Sequence, residues 1–226
     1  MTFPIKKKRL ISIVQSMEGF SSPNVKLEQY VTDAISTVDF LYFIAVDNND
    51  VVENIILDLG AGTGRLGLTS LLLGAKKVIA VEMDKLAIQV MKENAENLDL
   101  IPYIDIIQAD ISHMNEEQLH DLNESLRLPS CDTRIVCVMN PPFGVQNKKA
   151  DRPFLLLAMK VSDVIYSIHL SNPKTRSYFQ RFVSSHGWEI KSIHSQKMII
   201  EGNFSFHKKK RKEILTDVYK IEKKID

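Results

Sequence analysis

The sequence predicts a doubly wound α/β fold, one mostly parallel, twisted sheet of about seven strands with helices on both faces. Three observations predict it. Short apolar runs alternate with helical patterns along most of the chain. The first run, Asn54-Ile55-Ile56-Leu57-Asp58-Leu59, passes directly into Gly60-Ala61-Gly62-Thr63-Gly64 and a helix start. The second, Lys77-Val78-Ile79-Ala80-Val81, ends on an acid, Glu82. Continuous apolar runs suit strands covered on both faces, as in parallel sheets.

Taken in order, residues Lys6 to Met17 give a helix with a basic front and apolar residues at helical spacing (Leu10, Ile13, Val14, Met17). The run Lys6-Lys7-Lys8-Arg9 reads as a solvated start before it reads as a phosphate contact. Thr32 or Asp33 can cap the next helix, Ala34 to Val46. Its apolar residues (Ile35, Val38, Phe40, Leu41, Phe43, Ile44) surround it, so burial is expected. Asp47-Asn48-Asn49-Asp50 ends it as a polar turn.

The glycine loop lets backbone approach a ligand closely, and the helix from Arg65 to Leu73 offers its N-terminus beside it. Gly62, Gly64 and Gly67 satisfy G-x-G-x-x-G, a weak match by itself. Glu82, at the tip of the second strand, can accept two ribose hydroxyls, which fits NAD and S-adenosylmethionine equally. Asp84 caps a helix from Lys85 to Leu98. A third strand runs from Tyr103 to Gln108, and Ala109-Asp110-Ile111 follows, where an acid can reach an adenine amino group. His113 and His120 sit on a polar stretch and read as surface residues, with no third metal ligand in sight.

Ile135-Val136-Cys137-Val138-Met139 is the fourth strand, and Asn140-Pro141-Pro142-Phe143 follows it. Proline fixes its own φ and keeps the preceding residue extended. The loop therefore presents two fixed acceptors, the Asn140 side-chain oxygen and the Pro141 carbonyl, beside the flat face of Phe143. That set suits a planar heterocycle carrying an exocyclic NH2; a tight turn plugged by an aromatic is the plain alternative. A helix from Pro153 to Val161, a fifth strand from Val164 to His169 and a helix from Lys174 to His186, closed by Gly187, come next. Trp188 to Ile200 and Lys212 to Ile221 read as an antiparallel pair. Between them Phe204, Phe206, His207, Lys208, Lys209 and Lys210 have the composition of a nucleic-acid contact or of a solvated loop.

The net charge of +1 excludes a polyanion-binding surface over the whole chain, so nucleic-acid affinity must lie in local clusters. Cys131 and Cys137 make no disulfide framework and no zinc pair. Gln15, Ser16 and Glu18 interrupt the N-terminal apolar stretch too early for a signal peptide, and no apolar run spans a bilayer. A cytoplasmic protein is expected.

Taken together, the glycine loop, Glu82, Asp110 and Asn-Pro-Pro-Phe resemble class I S-adenosylmethionine-dependent amino methyltransferases, which are Rossmann-like. Leu-Glu-Gln-Tyr (27–30), Asn-Pro-Pro-Phe-Gly (140–144) and Phe-His-Lys-Lys-Lys (206–210) extend the resemblance, over essentially the whole chain, to the methyltransferase-like protein five family. These are adenine-N6 methyltransferases acting on small-subunit ribosomal RNA. The resemblance implies S-adenosylmethionine contacts from Gln29, Tyr30, Thr32, Asp58, Gly60, Gly62, Thr63, Gly64, Arg65, Glu82, Met83, Asp110, Ile111 and Asn140. It implies Asn140, Pro141, Pro142 and Phe143 as the catalytic loop and Phe206 to Lys210 on RNA, within a basic segment 206–212. It also implies a third strand at one sheet edge, an antiparallel strand inserted near the other, and a small zinc-binding activator protein covering the edge strand Tyr103-Ile107. Residues 1–226 then form one methyltransferase domain, with 1–50 as helices over the cofactor and 51–226 as the core. Thr63, Arg65 and Glu82 depart from the eukaryotic pattern and point to an archaeal or divergent member.

Other readings of the same loop are a protein glutamine-N5 methyltransferase, a DNA adenine methyltransferase and a ribosome-assembly factor that only binds the cofactor. An NAD oxidoreductase explains the glycines and leaves Asn140 to Phe143 without a task.

Overall fold

The computed structural model describes residues 5–20, 22–24, 27–127, 133–144, 146, 148–201 and 211–224. Cys131 and the aromatic-basic stretch Phe204 to Lys210 lie outside the described residues. The strands are β1 (Ile55–Leu59), β2 (Lys77–Glu82), β3 (Ile104–Gln108), β4 (Ile135–Met139), β5 (Val164–Leu170), β6 (Trp188–Glu201) and β7 (Arg211–Lys223). They form one sheet in the order β3-β2-β1-β4-β5-β7-β6. β1 to β5 are parallel, and β7 inserts antiparallel between β5 and β6. The helices are α1 (Lys7–Ser16), α2 (Ala34–Tyr42), α3 (Arg65–Leu72), α4 (Lys85–Asn97), α5 (Glu116–Ser125), α6 (Arg152–Val161) and α7 (Pro173–Ser185). No helix among the described residues is long and apolar enough to cross a membrane.

Strand side chains alternate between faces, so the sheet divides two cores. Ile56, Val78, Ala80, Val136, Val138 and Tyr166 pack on the face covered by α1, α2, α3 and α4, with Leu10, Phe40, Leu68 and Met91 inserted. Leu57, Ile79, Cys137, Met139, Ile165 and Tyr219 pack under α5, α6 and α7, with Leu122, Leu155 and Phe179 inserted. This two-sided burial is why β4 is apolar throughout and why β1 and β2 are apolar except at Asp58, Lys77 and Glu82.

Two expectations need correction. α2 is not buried all round: Ile35 is 55% exposed and Val46 49% exposed. The N-terminal turn lies at the sheet margin, where Asp33 caps α2 through the Ile35 and Ser36 amides. Asp33 also accepts the Ile199 amide at 2.9 Å, and the Ser36 hydroxyl donates to the Lys197 carbonyl at 3.0 Å. The helix start therefore covers part of the outer edge of β6. Beyond Tyr42 the helix widens to a π-helical turn, Phe43–Asp47. The second correction concerns Asp50, read as part of a polar turn. It is buried, and it accepts from Arg134, Lys220 and the Tyr166 hydroxyl, tying the N-terminal helices to the sheet.

Candidate active site

β1 and β4 are neighbours, with Leu59 opposite Met139. The residues that follow, Gly60 and Asn140, therefore leave the sheet side by side at the carboxyl ends of the strands. Strand order reverses at this point, which is where doubly wound sheets open a ligand crevice. A cleft of about 380 Å³ lies there.

The glycine loop forms one wall. Gly60 and Gly62 have φ of +71° and +56°, which only glycine adopts without strain. A Cβ on Gly60 would come within 2.8 Å of the Phe154 ring, and one on Gly62 within 3.0 Å of the Phe20 ring. One amide of this wall and one in the first turn of α3 are already committed to carboxylates. Gly62 donates to Glu82 Oε2 at 2.8 Å, and Gly67 donates to Asp58 Oδ2 at 2.8 Å. Glu82 Oε1 also accepts the Met83 and Asp84 amides at 2.8 and 2.9 Å. Burial raises the Glu82 carboxyl above its ordinary range, and these three amides oppose the rise. Burial pushes Asp58 up to about 7, with the Gly67 amide pulling it back and the Glu82 charge adding to it.

The described residues between α1 and α2, 17–20, 22–24 and 27–33, form a strap, and Phe20 and residues 27–32 border the cleft. Arg65 holds it from below, donating to the carbonyls of Met17 at 2.9 Å and Thr32 at 3.1 Å. Asn94 grips Glu18 through both its amide and its carbonyl. Gln29 donates to Asp84 at 2.8 Å. The strap also reaches the Asn-Pro-Pro-Phe loop. The Tyr30 hydroxyl donates to Asn140 Oδ1 at 2.9 Å, and Asn140 Nδ2 donates to Thr32 Oγ1 at 3.0 Å. The Asn140 amide is thus pinned at both ends. Burial of the Tyr30 phenol drives its pKa far upward, so it stays a proton donor.

Gln29, Tyr30, Thr32, Gly60, Gly62, Thr63, Arg65, Glu82, Met83, Asp110, Ile111 and Asn140 all border the cleft, as does Pro142. Asp58 and Gly64 do not: Asp58 points under the loop to brace the start of α3, and Gly64 turns the chain into α3 against Met91. Pro141 is buried and is not among the residues that border the cleft. Phe143 lies outside the cleft, its ring 5.6 Å from that of Tyr30. Asp110 is half engaged, accepting the Ser112 amide and contacting His113 Nδ1 at 3.1 Å. His113 is exposed, as expected, yet it borders the cleft. Sequence reasoning missed Phe20, Phe154 and His113. Nothing in the local pattern marks Phe20 and Phe154, which reach the cleft through tertiary packing, whereas His113 is brought there by the short turn that Asp110 caps.

A family model for ribosomal protein L11 methyltransferase (PrmA) matches residues 41–122. An uncharacterized protein of Methanocaldococcus jannaschii is 37% identical over 219 residues, 97% of this chain and 95% of that one. The rRNA N(6)-adenosine-methyltransferase Mettl5 of Drosophila melanogaster is 29% identical over 220 residues, 96% of this chain and 97% of that one. Among solved structures, a candidate RNA methyltransferase from Pyrococcus horikoshii superposes with a TM-score of 0.82 at 38% identity, covering 100% of both chains. Full-length likeness, sheet order and the paired glycine and Asn-Pro-Pro-Phe loops agree, and the chain is a methyltransferase that belongs to the methyltransferase-like protein five family.

Proposed function

We propose that the chain transfers a methyl group from S-adenosylmethionine to the N6 amino group of an adenine in small-subunit ribosomal RNA. One observation carries this reading: the Asn140 amide, oriented by Tyr30 and Thr32, faces the same cleft as the glycine wall and Glu82.

The donor set fits this cofactor and not a dinucleotide. A pyrophosphate needs free amides at the helix N-terminus. Here the Gly62 amide bonds to Glu82 and the Gly67 amide to Asp58, and the Glu82 carboxylate borders the cleft where a pyrophosphate would lie. An acidic wall suits a cationic sulfonium. Glu82 would hold the ribose hydroxyls, Asp110, Ile111 and Met83 the adenine, and Gln29, Thr32, Gly60 and Thr63 the remainder. Arg65 serves by holding the strap. S-adenosylmethionine supplies an electrophilic methyl group on a good leaving group.

The chain's own residues prepare the acceptor. The target adenine has to leave its stack to enter the pocket. An amide oxygen has two lone pairs. Tyr30 occupies one on Asn140, and the other accepts one N6 hydrogen. The Pro141 carbonyl, to which nothing donates among the described residues, accepts the second. Two fixed acceptors localise the nitrogen lone pair and stabilise its growing positive charge. The surplus proton then passes from N6 to water. Phe143 stacks on the base from outside the cofactor cleft.

The PrmA match ends at residue 122, short of Asn140, so it speaks for the cofactor half and not for a protein acceptor. The RNA is further held by Phe206 to Lys210, a role that rests on composition and resemblance alone. A small zinc-binding activator adds a strand at the free edge of β3, where Tyr103 is 52% and Ile101 41% exposed. Co-expression that yields no complex on gel filtration counts against that partner. A cytoplasmic location goes with a ribosomal substrate. The function is tested by tritiated methyl transfer to rRNA, tRNA, DNA and protein fractions. Asn140→Ala should abolish transfer to rRNA while calorimetry still records cofactor binding. Near-normal turnover by that variant would refute the role.

A further inference from the structure

α7 and its cap carry a ridge of rings. Tyr178, Phe182 and His186 recur at a spacing of four, with Lys174 one turn ahead. The Tyr178 and Phe182 centroids lie 5.8 Å apart, and those of Phe182 and His186 lie 4.5 Å apart. Tyr178 is half-buried and belongs to neither core, and His186 is exposed. Arg152, the first residue of α6, reaches across to them. Its Nε donates to the Tyr178 hydroxyl at 2.7 Å, and its guanidinium carbon sits 5.3 Å and 5.7 Å from the Tyr178 and Phe182 centroids.

The surroundings are cationic. Among the described residues none of Lys148, Lys149, Arg152, Lys174 and Arg181 makes a salt bridge, and the one carboxylate whose charge acts on Arg152 is that of its neighbour Asp151, which contacts His169 instead. α7 contains no acid at all. Arg152 links the ridge to the cleft, because Ala150 and Phe154, two residues to either side of it, border the cleft with Asn140.

We propose that this ridge is a stacking platform for the single-stranded RNA that flanks the target adenine, with these lysines and Arg181 facing its phosphates. The proposal rests on the RNA-methylation reading above. Unstacking one base for the pocket leaves its neighbours in need of a surface. Aromatic rings and guanidinium planes stack unpaired bases, and unpaired cations neutralise the backbone between them. An acidic protein would match the cations but leave the ring faces unmatched.

The test uses the full chain and a single-stranded RNA of about 20 nucleotides with 5-bromouridine on both sides of one adenine, long enough to reach the ridge. Irradiation should crosslink it within residues 173–187, mapped by mass spectrometry. Tyr178→Ala and Arg152→Gln should each raise the KM of methyl transfer for this RNA about tenfold, the scale of one lost stack, with kcat nearly constant. Tyr178→Phe should restore it, and the KM for a trinucleotide should not move. An unchanged long-RNA KM in both variants, or crosslinks confined to other segments, overturns the proposal and reassigns the ridge to a protein or to solvent. Should the wild type methylate no RNA, the function fails, yet crosslinks within 173–187 still support the platform and their absence still overturns it.

Discussion

Removing the Tyr30 hydroxyl should slow methyl transfer without weakening the cofactor. The hydroxyl donates to Asn140 Oδ1 at 2.9 Å, while Thr32 Oγ1 receives Asn140 Nδ2 at 3.0 Å. Tyr30→Phe keeps the ring that lies 5.6 Å from Phe143 and deletes only this donor. The Asn140 amide can then rotate about its last torsion, and its oxygen no longer holds one orientation toward the cleft. A neutral hydrogen bond is worth about 1 kcal/mol net, which corresponds to about fivefold in kcat. The KM for S-adenosylmethionine should stay put, because the glycine wall and Glu82 are untouched. Thr32→Val frees the opposite end of the same amide, so the double variant should lose less than the product of the single losses. Single-turnover methylation of rRNA, with melting temperatures as a folding control, reads this directly. Wild-type kcat in Tyr30→Phe sinks the positioning role. A faster enzyme would mean that the hydroxyl competes with the substrate for Asn140.

Three further outcomes are expected. Glu82→Gln exchanges a charged acceptor of three backbone amides for a neutral one; S-adenosylmethionine affinity should drop about tenfold or more by calorimetry, and an unchanged Kd removes Glu82 from the cofactor site. Asp58 has its folded pKa raised to about 7, so it contributes stability that is full below its unfolded pKa and is lost as pH rises through about 7. Urea unfolding of Asp58→Asn, which keeps an acceptor for Gly67, should therefore gain about 3 kcal/mol on the wild type between about pH 5 and pH 8; a constant difference contradicts the raised pKa. Arg65→Met keeps the aliphatic stem but loses both strap carbonyls, and amide exchange over residues 17–33 should quicken; exchange confined to wild-type rates would show that Asn94 and Gln29 hold the strap without it.

Local pattern made the sheet legible. β1, β2 and β4 announce themselves because strands covered on both faces are apolar at nearly every position, and Gly60 and Gly62 because a positive φ with a ring packed close favours glycine. Asn140 stands out because two prolines leave its loop few conformations. These are short-range constraints, and neighbouring residues suffice to express them. Burial around α2 was misread because its apolar residues do not say which of them will meet the edge of β6.

Long-range placement belongs to the tertiary structure. Phe20 and Phe154 close on the glycine wall from segments 42 and 94 residues from Gly62 and Gly60, as differences of those residue numbers. The Tyr30–Asn140–Thr32 chain joins residues more than a hundred positions apart. The sequence by itself determined the strands, the glycine wall and the identity of the acceptor loop. Folding decided that Asp58 braces α3 instead of lining the cleft, that Arg65 holds a strap, and which way the Asn140 oxygen points. Orientation of a side chain depends on the partners that surround it, and those partners become neighbours only once the sheet has assembled.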